Sequence, residues 1–193
     1  MVMRVHRFDR NSLLATPWKN GGGVTREICC QPPGAGIHDF DWRVSIAEIG
    51  RDGPFSRFDG VDRVITLLEG AGVRLLSDDG ALDHQLGTPL APFAFAGEAS
   101  VTSTLLGGAC HDFNVMTRRN RCRAEVLVCT GSRALAPAAA GLLMSARGTW
   151  QAGEHALRPG QGLWWTDDRI AWPLTCTETD AALLAVHFHW AKP

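Results

Sequence analysis

The side chains best suited to chemistry lie on predicted strands whose two faces differ in polarity. Residues 41–49, DWRVSIAEI, alternate so that Arg43 and Ser45 share one face. Further along the chain, Asp112 and Asn114 are likewise two residues apart. Guanidinium groups bind carboxylates through charge-assisted hydrogen bonds, and hydroxyl and amide groups add neutral ones. Such a face is either exposed to solvent or lines a polar pocket inside a β-barrel.

A glycine-rich segment precedes these strands. Residues 21–23 are three consecutive glycines, whose uncovered backbone N–H groups a ligand can approach. Polar side chains flank them: Lys19, Asn20 and Thr25. The segment is either a binding loop or a flexible connection before the next strand. It is not a phosphate-binding loop, because the P-loop spacing of glycines, lysine and serine or threonine is absent and a strand pattern follows.

Two histidines near the C-terminus have a spacing that metal sites use. His187 and His189 are two residues apart, so a strand projects both from one face. No glutamate or third histidine follows at a suitable spacing, which leaves His155 on a neighbouring strand as the remaining candidate. The six cysteines contain no CxxC pair and are interpreted as free thiols. We therefore predict no metal and no other cofactor, and the missing Gly-x-Ser-x-Gly elbow leaves no catalytic residue to assign.

Composition limits the classes of function. The chain has 193 residues, 45% of them hydrophobic, enough for one ordinary domain or two small ones with a substantial core. The formal net charge of -1 offers no basic surplus for nucleic acid or an anionic membrane. No apolar run approaches the ~20 residues of a membrane span, and the first residues lack a signal-peptide core. We expect a cytoplasmic protein that binds neither nucleic acid nor a membrane.

Short strands must position these side chains. Apolar runs are separated by Gly, Pro or Asp turns every ~10 residues, and no segment sustains a helical period. In residues 56–76 two such runs flank a Glu-Gly-Ala-Gly turn, which predicts a hairpin. Residues 122–190 repeat the same rhythm, which indicates a duplicated barrel. The prediction is an all-β chain with an N-terminal barrel over residues 1–121 and a degenerate second barrel over residues 122–193.

Three motifs resemble those of the HutD/Ves family of small bacterial proteins. They are PWKNGGGVTREI at residues 17–28, DWRVSIA at 41–47 with GPFSRFDGVDR at 53–63, and DFNVMTRR at 112–119. The resemblance is specific over the first 120 residues or so. It implies a bicupin, that is, two cupin barrels (RmlC-like jelly rolls) in one chain. In the HutD branch it also implies a regulator, or governor, of histidine utilisation, with urocanate or N-formylglutamate as ligand. The motifs do not assign the chain to the HutD or the Ves branch.

The cupin resemblance also identifies a third cation. Metal-binding cupins carry histidines and a glutamate before the turn glycine, and counting back from Gly70 places Arg63 at the glutamate position. The two histidine positions fall at Ser56 and Phe58, or at Arg57 and Asp59 if the gap is one residue shorter. A permanently protonated guanidinium cannot help to hold a metal cation. Inside a barrel it requires an anion instead, so Arg63 is the predicted carboxylate anchor, with Arg43 and Lys19 as further cations.

The predicted function follows from this set. The predicted ligand-binding residues are Lys19, Asn20, Thr25, Arg43, Ser45, Ser56, Arg63 and Asn114. The protein is expected to bind a small carboxylate metabolite such as urocanate or N-formylglutamate without a metal, and to regulate histidine utilisation rather than catalyse a reaction. Trp18 or Trp42 either stacks on a planar ligand or packs in the core. A homodimer is expected by analogy with other cupins.

Two other classes of function stay open. The first is a cupin-type isomerase, lyase or hydrolase. It would be metal-free, with a base such as Glu27, His111 or Asp112, or would use His187 and His189 as metal ligands. The second is an interaction protein without a pocket. In that case Arg63 forms an internal salt bridge with one of three carboxylates: Glu48, Asp59 or Glu69.

Overall fold

The computed structural model describes residues 5–191, and their regular secondary structure is almost entirely β-strand. The strands up to residue 118 are β1 (Val5–Asp9), β2 (Ala15–Pro17), β3 (Gly23–Gln31), β4 (Trp42–Ile49), β5 (Gly53–Pro54), β6 (Val61–Glu69), β7 (Val73–Ser77), β8 (Asp83–Leu86), β9 (Pro92–Ala96), β10 (Val101–Leu105) and β11 (Cys110–Arg118). The later strands are β12 (Cys122–Cys129), β13 (Arg133–Ala134), β14 (Ala140–Arg147), β15 (Trp150–Ala152), β16 (His155–Leu157), β17 (Gln161–Trp165), β18 (Pro173–Thr175) and β19 (Ala182–Trp190). The single helical segment within the described residues is a 3-10 turn, Arg10–Ser12. The all-β prediction is confirmed.

The described residues form two compact units. One is Leu14–Cys122, and the other combines the residues before Leu14 with those from Arg123 onward. The division at Cys122 lies next to the predicted boundary between residues 121 and 122. The first strand differs from the prediction, which placed it in the N-terminal barrel, because β1 pairs antiparallel with β17. Only long-range pairing determines this membership, and local sequence carries no signal for it.

The Leu14–Cys122 unit contains two sheets. Its six-stranded sheet has the order β2-β3-β4-β11-β6-β9, and its four-stranded sheet has the order β5-β10-β7-β8. Alternate apolar residues of strands from both sheets form one buried cluster, as expected when two sheets pack face to face. Members of this cluster are Ile49, Ile65, Leu67, Val73, Leu75, Leu86 and Val101.

The turn after β6 carries the chain from one sheet to the other. The hairpin predicted for residues 56–76 is wrong in its pairing, because β6 pairs with β9 and β11, whereas β7 pairs with β8 and β10. Gly72 in this turn has φ +90°, and a Cβ there would collide with the carbonyl oxygen of Leu86. The local sequence indicates the turn correctly, but burial in the two sheets decides which strands pair.

The second unit repeats the two-sheet arrangement. Its five-stranded sheet has the order β1-β17-β14-β19-β12, and its four-stranded sheet has the order β13-β18-β15-β16. The core between them is apolar and rich in tryptophan. Its fully buried members include Leu143, Trp150, Leu157, Leu163, Trp165 and Leu183. The predicted duplication of one barrel agrees with this architecture.

Residues 5–191 contain no helix of the length and apolar character needed to cross a lipid bilayer.

Candidate functional site

Three rows of side chains cross the inner face of the six-stranded sheet, one residue from each successive strand. The first row, from β3 to β9, is Cys30, Arg43, Met116, Arg63 and Phe95. The second row is Glu27, Ser45, Asn114, Ile65 and Phe93. The third row, from β3 to β6, is Thr25, Ala47, Asp112 and Leu67. Because Ile65 and Leu67 belong to the core of this unit, all three rows face the barrel interior.

Arg63 lies deep in this interior. Only 7% of the residue is exposed, and its Nε has no hydrogen-bond partner. Three phenylalanine rings surround the guanidinium, with Cζ 5.0, 5.2 and 5.8 Å from the ring centroids of Phe95, Phe55 and Phe58. Burial lowers the pKa of Arg63 to about 10, against an opposing attraction from Asp112. The site therefore holds a desolvated cation.

The proposed internal salt bridge of Arg63 does not form. Two of the candidate carboxylates, those of Glu48 and Glu69, lie 3.6 and 3.4 Å from the ring nitrogens of His111. The third, Asp59, lies 3.9 Å from a guanidinium nitrogen of Arg57. Within residues 5–191 no carboxylate lies at ion-pair distance from Arg63. A purely structural role as an internal ion pair is excluded for this arginine.

Asp112 is the second buried charge of the interior. It is 2% exposed, and its Oδ1 has no hydrogen-bond partner. Burial raises the pKa of Asp112 to about 6, although the positive charge of Arg63 acts in the opposite direction. Asn114, on the same face of β11, is 7% exposed and also has an unpartnered Oδ1. An anionic acceptor and a neutral one thus accompany the arginine.

Arg43 marks the end of the cluster that reaches solvent. Its Nε donates to Glu27 Oε2 at 2.6 Å, and the two side chains are 13% and 48% exposed. A β-bulge between Glu27 and Cys29 interrupts the register of β3 next to this pair. The charge of Arg43 is therefore already compensated, which makes Arg63 the stronger candidate for an external anion.

The glycine-rich segment, residues 18–25, packs against one side of this interior. Trp18 Nε1 donates to Thr25 Oγ1 at 2.7 Å, and the indole meets the Phe55 ring edge-on at 6.4 Å. Gly23 allows this packing, because a Cβ there would collide with the carbonyl oxygen of Glu48 and lie 3.0 Å from the Trp18 ring. The segment supports the ring that contacts Arg63, so Gly23 has a packing role.

The structure brings together some of the eight predicted site residues. Five lie on the inner rows: Thr25, Arg43, Ser45, Arg63 and Asn114. Three are exposed at the surface: Lys19, Asn20 and Ser56. The Asn20 side chain accepts a hydrogen bond from the backbone N–H of Gly22 at 2.9 Å, which is a local loop contact.

The predicted set omitted the acidic group and the aromatic rings around Arg63. Asp112 shares a strand face with Asn114, so the alternation of β11 was the available signal for it. No local signal identifies the three rings, because Phe55 and Phe58 precede β6 and Phe95 lies on β9. Of the two tryptophans considered, Trp18 lies beside the site, whereas Trp42 is fully buried.

The histidine pair has a different environment. His187 is 4% exposed, its Nε2 has no partner, and burial lowers its pKa. His189 Nε2 lies 3.5 Å from Glu125 Oε2, and His155 packs against Trp172 at 5.9 Å between centroids. Across residues 5–191, no group of three or more His, Cys, Asp or Glu side chains has a geometry that could hold a metal ion. The described residues therefore supply no ligand set for the metalloenzyme alternative.

The fold and this interior define a class of protein, a bicupin whose first barrel holds a buried arginine. A cupin 2 conserved barrel domain protein from Leptotrichia buccalis superimposes with TM-score 0.61 over 98% of both chains at 8% identity, a likeness of fold alone. At the level of sequence, the chain belongs to the HutD family, whose model matches residues 10–184. The family resemblance predicted from the three motifs is confirmed.

Relatives in this family match along most of their length. Protein Ves of Cronobacter sakazakii is 44% identical over 83% of this chain and 86% of its own, and Protein Ves of Escherichia fergusonii is 40% identical over 95% and 93%. The structure of HutD from Pseudomonas fluorescens SBW25 superimposes with TM-score 0.86 at 31% identity, covering 97% of this chain and all of that one. A conserved protein of unknown function from Pseudomonas aeruginosa PAO1 gives 0.82 at 32%, over 96% and 98%.

Proposed function

We propose that the first barrel binds a small carboxylate metabolite through Arg63, without a metal, and that binding regulates histidine utilisation. One observation carries the binding proposal: a buried guanidinium that has no carboxylate partner among the described residues. Burying an unpaired charge costs several kcal/mol, and a bidentate carboxylate is the partner that best offsets this cost. The three phenylalanine rings exclude water from the contact and so strengthen it.

The regulatory part of the proposal rests on the family. The HutD name refers to histidine utilisation, and the P. fluorescens HutD structure is described as one obtained in a formate condition. Formate is the simplest carboxylate, which makes it a useful probe here. We place the protein in the cytoplasm, where its six free cysteines would stay reduced.

Calorimetric titration tests the binding proposal. The panel contains formate, urocanate, N-formylglutamate, glutamate and histidine, measured against the wild type and Arg63→Met. Arg74→Met is the matched control, since Arg74 pairs with Asp83 on the exposed face of β7. We expect at least one carboxylate to bind the wild type and Arg74→Met alike, and to lose about 100-fold in affinity with Arg63→Met. Equal affinity in all three proteins, or no binding in any, would overturn the proposal.

A growth experiment tests regulation. With histidine as the nitrogen source, cells that carry Arg63→Met should show the same altered expression of histidine-degrading enzymes as cells lacking the gene. A gene deletion without any effect on that expression would contradict the regulatory role while leaving the binding result intact.

One observation favours a second candidate function, metal-free acid–base catalysis. Asp112 shares the interior with Arg63, and its pKa of about 6 suits a general base near neutral pH. Proton NMR of each panel compound with the protein would reveal turnover. Product formation that Asp112→Asn abolishes would support catalysis, and stable ligands throughout would exclude it for this panel.

A further inference from the structure

Two unpartnered acceptors lie on the same face of β11. The Oδ1 atoms of Asp112 and Asn114 are both buried and both lack a hydrogen-bond donor. The residues are two apart on the strand, in neighbouring rows, which separates them by ~6.6 Å along it. A buried acceptor without a donor destabilises the folded state, and native proteins leave few of them, so this pair requires an explanation.

These acceptors share the interior with Arg63 but do not contact it. Asp112 attracts the arginine electrostatically, yet no ion pair joins them within the described residues. A direct contact would satisfy both groups and close the site. Kept apart, the cation is available to an anionic group and the carboxylate is available to a donor.

The charges of the cluster also balance. Arg43 and Glu27 form one ion pair, and Arg63 and Asp112 contribute opposite charges nearby. A ligand with only a carboxylate would therefore add an uncompensated negative charge next to Asp112. A donor group on the same ligand would offset that repulsion.

We propose that the ligand of the first barrel carries an N–H donor in addition to its carboxylate, with the carboxylate on Arg63 and the N–H group on Asp112 and Asn114. The chemical class is an imidazole-, amide- or amine-bearing acid, as opposed to a plain carboxylic acid. This inference rests on the proposed carboxylate site and adds the group that discriminates between acids. Specificity of this kind is strong, because an analogue without the donor leaves buried acceptors unpaired.

Matched pairs of acids test the inference. Urocanate is compared with 3-(furan-2-yl)acrylate, a planar acid of similar shape without an N–H group, and N-formylglutamate is compared with glutarate. Affinities are measured by calorimetry on the wild type, Asp112→Asn, Asn114→Ala and Arg63→Met. We expect the N–H member of at least one pair to bind the wild type about tenfold more tightly than its partner. Asp112→Asn should reduce that preference to about threefold or less, with little change in affinity for the plain acid.

The outcomes separate this inference from the proposed function. If both members of each pair bind equally and both depend on Arg63, the carboxylate site stands and the donor requirement is wrong. If no acid binds, or if Arg63→Met binds as well as the wild type, both proposals are wrong. Asn114→Ala tests the second acceptor independently of Asp112→Asn. The preference for the N–H acid is first measured on the wild type, so it does not depend on whether a variant folds.

Discussion

The two barrels of this chain differ most in what fills their interiors. In the first barrel, strands β4, β6 and β11 direct arginine, aspartate and asparagine inward among the apolar residues. In the second, the buried cluster consists mainly of leucine, alanine and tryptophan. A polar interior with unpartnered atoms lowers stability, whereas an apolar one raises it. The comparison agrees with the ligand site that we propose for the first barrel, whereas the second barrel has a packed apolar core.

One residue of the second barrel departs from this division. His187 projects from β19 toward Trp165, with ring centroids 6.4 Å apart, and its Nε2 has no partner. Burial keeps it neutral by lowering its pKa, against an opposing attraction from Glu125. A single neutral imidazole is a weaker indication of a site than the opposite charges of the first barrel.

The largest effect is expected from the second barrel's core. Trp165 is fully buried, and its Nε1 donates to the carbonyl of Ala138 at 2.9 Å. Trp165→Ala should lower the free energy of unfolding by about 3–5 kcal/mol, because it leaves a cavity and an unpaired carbonyl. Chemical denaturation measures this loss. Trp190→Ala, at a half-exposed tryptophan, is the control and should change little. Equal losses in the two variants would contradict a packed second core.

The next largest effect is expected in how stability depends on pH, through a residue of the first barrel. Burial raises the pKa of Asp112 from 3.8 to about 6, so between these values the folded state binds more protons than the unfolded state. Stability from Asp112 is therefore complete below pH 4 and is lost as pH rises through 6, by up to about 3 kcal/mol. Two titratable groups face Asp112: Arg63 from β6 and Cys110 from its own strand, and both titrate far above this range.

Comparison with Asp112→Asn isolates that contribution. Free energies of unfolding are measured from pH 3.5 to pH 7 for both proteins. The value for the wild type minus the value for the variant should fall as pH rises. Surface carboxylates with lowered pKa, such as Asp83 and Glu98, act in both proteins and cancel in the difference. Parallel profiles would show that Asp112 is not desolvated in the folded protein.

A third prediction concerns a variant in which the interior of the first barrel becomes apolar like that of the second. The double variant Arg63→Met/Asp112→Val replaces both buried charges with apolar side chains. Its free energy of unfolding should exceed that of the wild type by about 1–3 kcal/mol, because two buried charges no longer have to be desolvated. It should bind no carboxylate, because Arg63, the proposed anchor, is absent. Arg74→Met/Asp83→Val, which removes an exposed ion pair, is the control and should not gain stability. A destabilised double variant would mean that the two charges hold the barrel together.

Sequence reasoning identified the inner face of the site better than its surroundings. Strand alternation placed Arg43 with Ser45, and Asp112 with Asn114, because a period of two fixes which side chains share a face. The choice between solvent and pocket had no local signal, since it depends on which sheet covers that face. Arg63 was assigned to the site from the cupin resemblance, and the residues next to it in the sequence did not indicate this role.

The remaining features depend on contacts between distant residues. The Arg43–Glu27 ion pair arises from the register of β3 on β4, with a bulge that the sequence does not announce. The phenylalanine rings around Arg63 come from two separate places in the chain, the segment before β6 and strand β9. Exposure also depends on contacts between distant residues. Lys19 and Ser56, which were predicted as binding residues, lie exposed at the surface.

The smallest effect is expected at His187, and its sign is opposite to that of Asp112. Burial lowers the pKa of His187 below its usual 6.5, so the unfolded state takes up the proton first as pH falls. Stability from the neutral imidazole is present above pH 6.5 and is lost as pH decreases, partly offset by the attraction of Glu125. The difference in unfolding free energy between the wild type and His187→Leu should therefore rise as pH increases toward 6.5, whereas the Asp112 difference falls as pH increases. Two differences with the same sign would remove the electrostatic distinction between the barrels, since a desolvated base and a desolvated acid must respond to protons in opposite directions.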